Sequence, residues 1–168
     1  MTNPTYVLRQ ELPADDQWIA SLHALVFGPD RRKRAAYVLR DGVRHDMKLS
    51  FVATDTAGAA IGSVRMTAIG IGDRPALLLG PLAVKPDMAR KGAGRALVRR
   101  ALAEAWVEGH AVALLVGDLP YYGPLGFVHL GREVITMPAP VDPDRVLVAA
   151  LREGALAGLG GAATPAKA

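Results

Sequence analysis

Apolar residues recur along this chain in two different periods, and the change of period marks out its elements. In "PADDQWIASLHALVF", residues 13–27, Trp18, Ile19, Leu22, Leu25 and Val26 stand at helical spacing behind an acidic first turn, which predicts a helix. A second, short helix is predicted in "PDRRKRAAYVLR", opened by Pro29 and Asp30. From residue 48 the period shortens. "KLSFVAT" and "AIGSVRMTAI" have strand composition and flank the turn signal "TDTAG", which predicts an antiparallel hairpin. A third strand is "ALLLGPLAV", residues 76–84; proline cannot donate to a ladder, so Gly80-Pro81 predicts an edge, a bulge or a break in pairing. Beyond a glycine-bearing segment, Leu97, Val98, Ala101, Leu102, Ala105 and Trp106 make one apolar face of a long helix ending at Gly109. Arg95, Arg99, Arg100, Glu104 and Glu108 lie off that face. A buried strand "AVALLV" (111–116), a short "DLPYYGPLG" segment and "FVHLGREVITM" follow, then "RVLVAAL" as a strand or a helix. No repeat or second domain breaks this order, so residues 1–157 read as one mixed α/β or α+β domain. The Gly/Ala-rich segment 158–168 is expected to be a disordered tail.

Composition narrows the chemistry. The 168 residues are 51% hydrophobic, enough to bury a full core. Twenty Lys and Arg against 16 Asp and Glu give +4, which suits an anionic ligand but falls short of a nucleic-acid footprint. The cationic run Arg31 to Arg34 is either a solvated helix face or a contact for phosphate or an acidic partner. It lacks the interleaved aromatics of a single-strand platform, and no nucleic-acid partner is expected. The absence of cysteine excludes a disulfide framework, a thiolate zinc site and a cysteine nucleophile. His23 and His110 have no metal-ligand spacing, so no metal is expected. Neither a signal peptide nor a run of membrane-spanning length is visible, and a soluble, cytoplasmic protein without a membrane partner is the expectation.

The segment "ARKGAGRAL", residues 89–97, puts Gly92 and Gly94 at the mouth of the long helix. Each costs about 1 kcal/mol against alanine in a helix interior. At a helix start, free N–H groups and the dipole attract an anion, and missing side chains let a phosphate reach the backbone. A P-loop would need Lys and then Ser or Thr after the last glycine, where Arg95 stands instead. A dinucleotide fingerprint would need a third small residue at Leu97 and a strand running straight into the turn, where "KPDMAR" intervenes. A pyrophosphate seat of another kind and a structural loop both remain open on the glycines alone.

The whole run "LLLGPLAVKPDMARKGAGRALVRRAL" resembles the acyl-CoA signature of the GNAT superfamily of N-acetyltransferases. That signature is a strand ending in Leu-x-Val, then x-Pro, then a Gln/Arg-x-x-Gly-x-Gly/Ala loop opening a long helix. Leu82, Ala83 and Val84 match the strand end, and Gly92 and Gly94 the glycines. The family's Gln or Arg falls at Ala89, so backbone donors and the neighbouring Arg90 and Lys91 would serve there. A separate stretch, "LLVGDLPYYGPLGFVHL", matches the family's Tyr-x-x-x-Gly-Phe at Tyr122, Gly126 and Phe127. The resemblance spans residues 48–130, and "GPLAV" with the later tyrosines is similar to a bacterial branch of the superfamily.

The resemblance implies an α+β fold whose mostly antiparallel central sheet has two central strands splayed apart, with Gly80-Pro81 as the counterpart of that break. It implies acetyl-CoA as cosubstrate. Its pantetheine would bond backbone groups of Leu82, Ala83 and Val84, and its pyrophosphate would sit on Ala89, Arg90, Lys91, Gly92, Ala93, Gly94 and Arg95. The Val84 N–H would be the oxyanion donor. Tyr122 would be the acid toward the departing thiolate, against the alternative of a packed aromatic whose hydroxyl only binds the sulfur. The base that deprotonates the amine stays unassigned among His45, Asp46, Asp118 and Glu133. The function implied is direct acetyl transfer to an amine, on a small molecule or a protein, the alternative being a non-catalytic acyl-CoA-binding module. Walls for the acceptor are expected from the second helix, its following loop and the C-terminal segment. The resemblance leaves room for a homodimer.

Overall fold

The computed structural model describes residues 6–166. Its strands are β1 (Val7–Gln10), β2 (Phe51–Thr54), β3 (Ala60–Ile71), β4 (Arg74–Val84), β5 (Val112–Val116), β6 (Ile135–Thr136), β7 (Val146–Ala150) and β8 (Gly161–Pro165). They form one sheet in the order β1-β2-β3-β4-β5-β7, with β8 paired to the far end of β3 and β6 paired to β8. The pairs are antiparallel except β4 with β5 and β6 with β8. The helices are α1 (Asp16–Phe27), α2 (Ala35–Leu39), α3 (Ala93–Val107) and α4 (Leu119–Tyr122).

Alternation along the strands divides the core into two layers. On one face Leu97, Val98, Ala101 and Ala105 of α3 bury against Phe51, Val64, Met66, Leu77 and Leu79. On the other, Leu39 of α2 joins Ile69, Ile71, Leu78, Leu114, Ile135 and Leu159. The mixed, mostly antiparallel sheet flanked by helices is the fold class expected.

Several elements differ from the periodicity. Residues 13–15 and 29–33 are single 3₁₀ turns, and Arg34 is extended, so only five residues of the second predicted helix are α-helical. Leu25, Val26 and Trp106 stay exposed although their spacing put them on apolar faces; the Arg152 guanidinium lies 5.0 Å from the centre of the Trp106 ring. "RVLVAAL" resolves to strand β7, and "FVHLGREVITM" yields only β6 and one bridge from Val128 to Val148. β1 was not marked by the pattern, because its four residues are nearly all exposed.

The disordered tail expected at 158–168 is the largest difference. β3 outruns β2 and leaves an open edge at Ile69–Ile71, which β8 pairs through Pro165, Thr164 and Ala163. Leu159 and Ala163 are buried. The small residues serve close approach here: a Cβ on Gly72 (φ +59°) would lie 2.5 Å from the Gly160 carbonyl oxygen. Residues 167 and 168 lie outside the described residues. Among the described residues, no helix is long and apolar enough to cross a membrane.

Candidate functional site

The parallel pairing of β4 with β5 covers only Leu77 with Ala113 and Leu78 with Leu114. Beyond it the strands part. On its other side β4 keeps its register with β3 up to Met66–Leu79, shifts, and resumes at Val64–Leu82, so Gly80 and Pro81 form a bulge facing Arg65. Gly80 has φ +129°, a conformation that favours glycine. The Lys85 N–H donates to the Ile61 carbonyl at 2.8 Å. Hydrogen-bonded and non-bonded pairs alternate in an antiparallel ladder, so Ala83 turns its backbone toward Ser63, while Leu82 and Val84 turn theirs toward the gap.

Arg65 is itself held firmly. Its guanidinium donates to Glu11 (Nη2 at 2.6 Å, Nε at 3.1 Å) and to Asp16 (3.0 Å), and His45 lies 3.1 Å from the same Glu11 carboxylate. Burial pushes the Glu11 carboxyl up, but the bonds from His45 and Arg65 outweigh it and hold the group below the usual range.

The start of α3 faces the end of β4. Gly92 is the N-cap with φ +93°, and Arg90 also has positive φ (65°). Among the described residues no side chain caps the helix, its first turn carries no acid, and Ala96 is the first residue to donate back, to Gly92 at 3.1 Å. The N–H groups of Ala93, Gly94 and Arg95 therefore end in the positive pole of the helix without an intrahelical acceptor. Ala93 anchors this turn in the core, and Ala89, Arg90, Lys91 and Arg95 are exposed around it. A Cβ on Gly94 would lie 2.7 Å from the Tyr121 hydroxyl, 3.6 Å from Val84 Cγ2 and 3.9 Å from Leu82 Cδ2. Strand end, helix start and α4 thus converge on one glycine.

Tyr122 packs edge-on to Phe127 (5.8 Å, 73°) and Tyr121 (4.7 Å, 76°), and a Cβ on Gly117 would overlap its ring. Burial first, then the neighbouring Tyr121 and Asp118, push its phenol up to about 12. It is a neutral donor throughout the physiological range.

The gap between β4 and β5 opens into a cavity of about 740 Å³. Both tyrosines and Leu79–Leu82 line it; Ala35–Tyr37 and Arg40 close one side, and Pro140–Asp142 with Arg145 another. The second helix does wall the cavity, but among the described residues the loop that follows it and the C-terminal segment do not; a loop before β7, Pro140–Asp142, closes the other side. Of the four candidates for the base, Asp118 alone lines it, with its carboxylate bonded to Arg145 Nε at 3.1 Å. His45 is engaged with Glu11, the Asp46 side chain caps a turn at Lys48, and Glu133 lines a separate groove.

The cationic run is largely spent locally. Arg31 donates to the Gly28 carbonyl (2.9 Å), Lys33 lies 3.8 Å from Asp30, and Arg34 stacks 5.7 Å over Phe27 at the cavity wall. Sequence reasoning passed over Arg40 and Tyr37. Their signal is faint: Arg40 falls three residues after Tyr37 and four after Ala36, on the same side of a short helix.

Residues 17–127 match the model of the Acetyltransferase (GNAT) family. No curated protein sequence matches the chain. Among solved structures, a GNAT family N-acetyltransferase (YhbS) from Escherichia coli, in complex with CoA, superposes with a TM-score of 0.82 at 25% identity, over 99% of this chain and 92% of its own. A GNAT family acetyltransferase from Brucella melitensis, in complex with acetyl-CoA, gives 0.59 at 25% identity, over 92% and 99%. An acetyltransferase of the same family from Staphylococcus aureus, at 13% identity, shares the fold (0.58, over 88% and 99%). With the family model covering most of the sequence, the chain belongs to the GNAT acetyltransferase family.

Proposed function

We propose that this protein is an acetyl-CoA-dependent N-acetyltransferase that passes an acetyl group directly from the bound thioester to an amine. One observation carries it. Backbone groups of Leu82 and Val84, unpaired among the described residues, face a strand gap whose far end meets a glycine-lined helix start, likewise uncapped by them, within van der Waals reach of Val84. That is the donor set a pantetheine arm ending in a pyrophosphate requires, and filling either glycine would spoil it.

The N–H groups from Gly92 to Arg95 hold the pyrophosphate, with Arg90, Lys91 and Arg95 adding positive charge around the backbone of Ala89 and Ala93. Leu82 and Val84 bond the pantetheine as a strand would; Ala83 fixes them by its own pairing to Ser63. Acetyl-CoA supplies an activated carbonyl with a thiolate leaving group. The Val84 N–H stabilises the negative charge that develops on the carbonyl oxygen during amine attack, and being a fixed dipole it costs little reorganisation. Tyr122 donates its phenolic proton toward the departing sulfur. Its raised pKa keeps that proton in place but makes complete transfer to a thiolate uphill, so hydrogen bonding to the sulfur is the larger part of its work. Asp118, at the cavity rim, accepts the amine proton directly or through water.

Calorimetry with CoA and thiol release from acetyl-CoA over a broad amine panel test the proposal. Micromolar binding with amine-dependent thiol release is expected. Binding without turnover on any amine would favour the acyl-CoA-binding module, and no binding would overturn both.

A further inference from the structure

The cavity contains a cation that the fold does not neutralise. Arg40, at the C-terminal end of α2, lines it; its Nε and Nη1 are sealed from solvent and have no hydrogen-bond partner among the described residues. The hydroxyl of Tyr37, on the preceding turn, is equally sealed and equally unpartnered, and the guanidinium lies 4.8 Å from the centre of the Tyr37 ring. Every other charged group that bears on Arg40 is of the wrong kind. Arg65 repels it and is already engaged with Glu11 and Asp16, and the nearby His23 is kept neutral by burial and surrounding arginines. An unpaired guanidinium is among the most expensive groups to bury, and a fold retains one where an anion arrives to meet it.

We infer that Arg40 and Tyr37 form a carboxylate site at the acceptor end of the cavity, so that the amine acetylated is one bearing a carboxylate, of the amino-acid class. The inference rests on the acetyltransferase reading for what reacts, but not for what binds. Position supports it. Arg40 Nη2 lies 3.0 Å from where a Cβ on Gly80 would stand, which sets the guanidinium against the bulge two residues before Leu82, whose backbone faces the strand gap. Val84, whose N–H is the proposed oxyanion donor, lies four residues beyond Gly80, at most about 13 Å of strand, of which the ion pair takes about 3 Å, leaving a span that one amino acid with its side chain can bridge. The donor set also fits: one planar guanidinium and one phenol satisfy a carboxylate's two oxygens. A phosphate dianion would carry one charge more than Arg40 neutralises, since the cavity's other cations are engaged, Arg145 with Asp118 and Arg34 over Phe27.

Matched pairs test it: free amino acids against their carboxamides as acceptors, with acetyl-CoA and thiol release. Alongside them, binding of N-acetyl amino acids and N-acetyl amino acid amides is measured by calorimetry in the presence of CoA. The carboxylate member of the best pair is expected to exceed its amide by about 100-fold in kcat/KM and in affinity, the scale of a buried charge pair. In Arg40→Met that ratio falls to about one, and in Tyr37→Phe, which removes only a hydroxyl and is the safer variant for folding, it falls several-fold. Equal use and equal binding of the two members, or a preference that survives Arg40→Met in a folded protein, overturns the inference. So does a preference for a carboxylated acyl group such as succinyl-CoA over acetyl-CoA, which would assign the site to the donor. If no amine supports thiol release while the carboxylate ligands still bind through Arg40, the acetyltransferase reading fails and the carboxylate site stands.

Discussion

The Tyr121 hydroxyl stands 2.7 Å from the point where a side chain on Gly94 would begin, so the first turn of α3 and the α4 segment are fitted to each other through a missing methyl group. Gly94 does not have positive φ, and its backbone would accept alanine. The cost of a methyl there is therefore local: it meets the end of one tyrosine and narrows the approach to the helix amides.

Gly94→Ala should separate binding from folding. Alanine returns up to about 1 kcal/mol of helix propensity, which offsets the displacement of Tyr121, so the melting temperature should change by only a few degrees. CoA affinity should fall by roughly tenfold as the methyl crowds the anion seat. Adding Tyr121→Ala should relieve the clash without restoring affinity. Calorimetry and thermal melts on the three proteins decide; full affinity in Gly94→Ala would remove the pyrophosphate from this turn.

Tyr122→Phe keeps the ring that fills the space over Gly117 and against Phe127, and removes only the donor. With the proposed role, kcat should fall by about 100-fold while the KM for acetyl-CoA hardly moves. The pH profile supplies a second check. Because burial raises the Tyr122 pKa to about 12, the neutral donor persists through the alkaline range, and loss of its proton should not depress kcat between pH 7 and 10. A tyrosine-dependent fall near pH 10, or an unimpaired Tyr122→Phe, would contradict the assignment.

What could be seen in the sequence followed from periodicity and from proline. The face of Leu97, Val98, Ala101 and Ala105 repeats long enough to define α3, and the β2–β3 hairpin and the break at Gly80-Pro81 are local signals in local places. Leu82, Val84, Gly92, Gly94 and the tyrosine pair do come together around one gap. Tyr122 turns out to be the packed member of that pair and Tyr121 the one that reaches Gly94, a distinction that spacing does not carry. Arg40 was invisible for another reason: its significance is the lack of a partner, which no one-dimensional pattern expresses. Glu11, Arg65 and His45 lie far apart in the chain and become one buried cluster only through the register of β1, β2 and β3.

The C-terminal segment misled because Gly and Ala read as absence of a core, whereas here they permit backbone to lie close on backbone. Truncation after Leu159 would strip β8 from Ile69–Ile71 and uncover Ile71 and the end of β6. The expected loss is about 3 kcal/mol from a few ladder bonds and the buried Ala163. For a chain of this size that is a fall in melting temperature of roughly 8 °C. Gly72→Ala should be comparably damaging, since its Cβ would meet the Gly160 carbonyl oxygen at 2.5 Å from a residue at φ +59°. Unchanged melting in both variants would return the segment to the disordered tail that composition suggested.

Acid should release a specific clamp near the N-terminal end of the fold. Asp15 accepts two bonds from Arg9 (2.7 and 2.9 Å), one from the Leu12 N–H (2.7 Å) and one from Trp18 Nε1 (3.0 Å). The Arg9 bonds, with those from Leu12 and Trp18, outweigh burial and hold the carboxyl well below its ordinary range. A folded pKa below the unfolded value of about 3.9 means the stabilisation is complete above that pH and is lost as pH falls below it toward the folded pKa. Arg9 is 40% exposed, so screening moderates the ion pair. Asp15→Asn, which keeps the shape and loses the charge, should cost about 2 kcal/mol at pH 7. Urea denaturation at pH 7 and pH 3 measures it: the difference between wild type and Asp15→Asn should shrink at the lower pH. A gap that stays constant would mean the clamp works through shape and neutral hydrogen bonds alone.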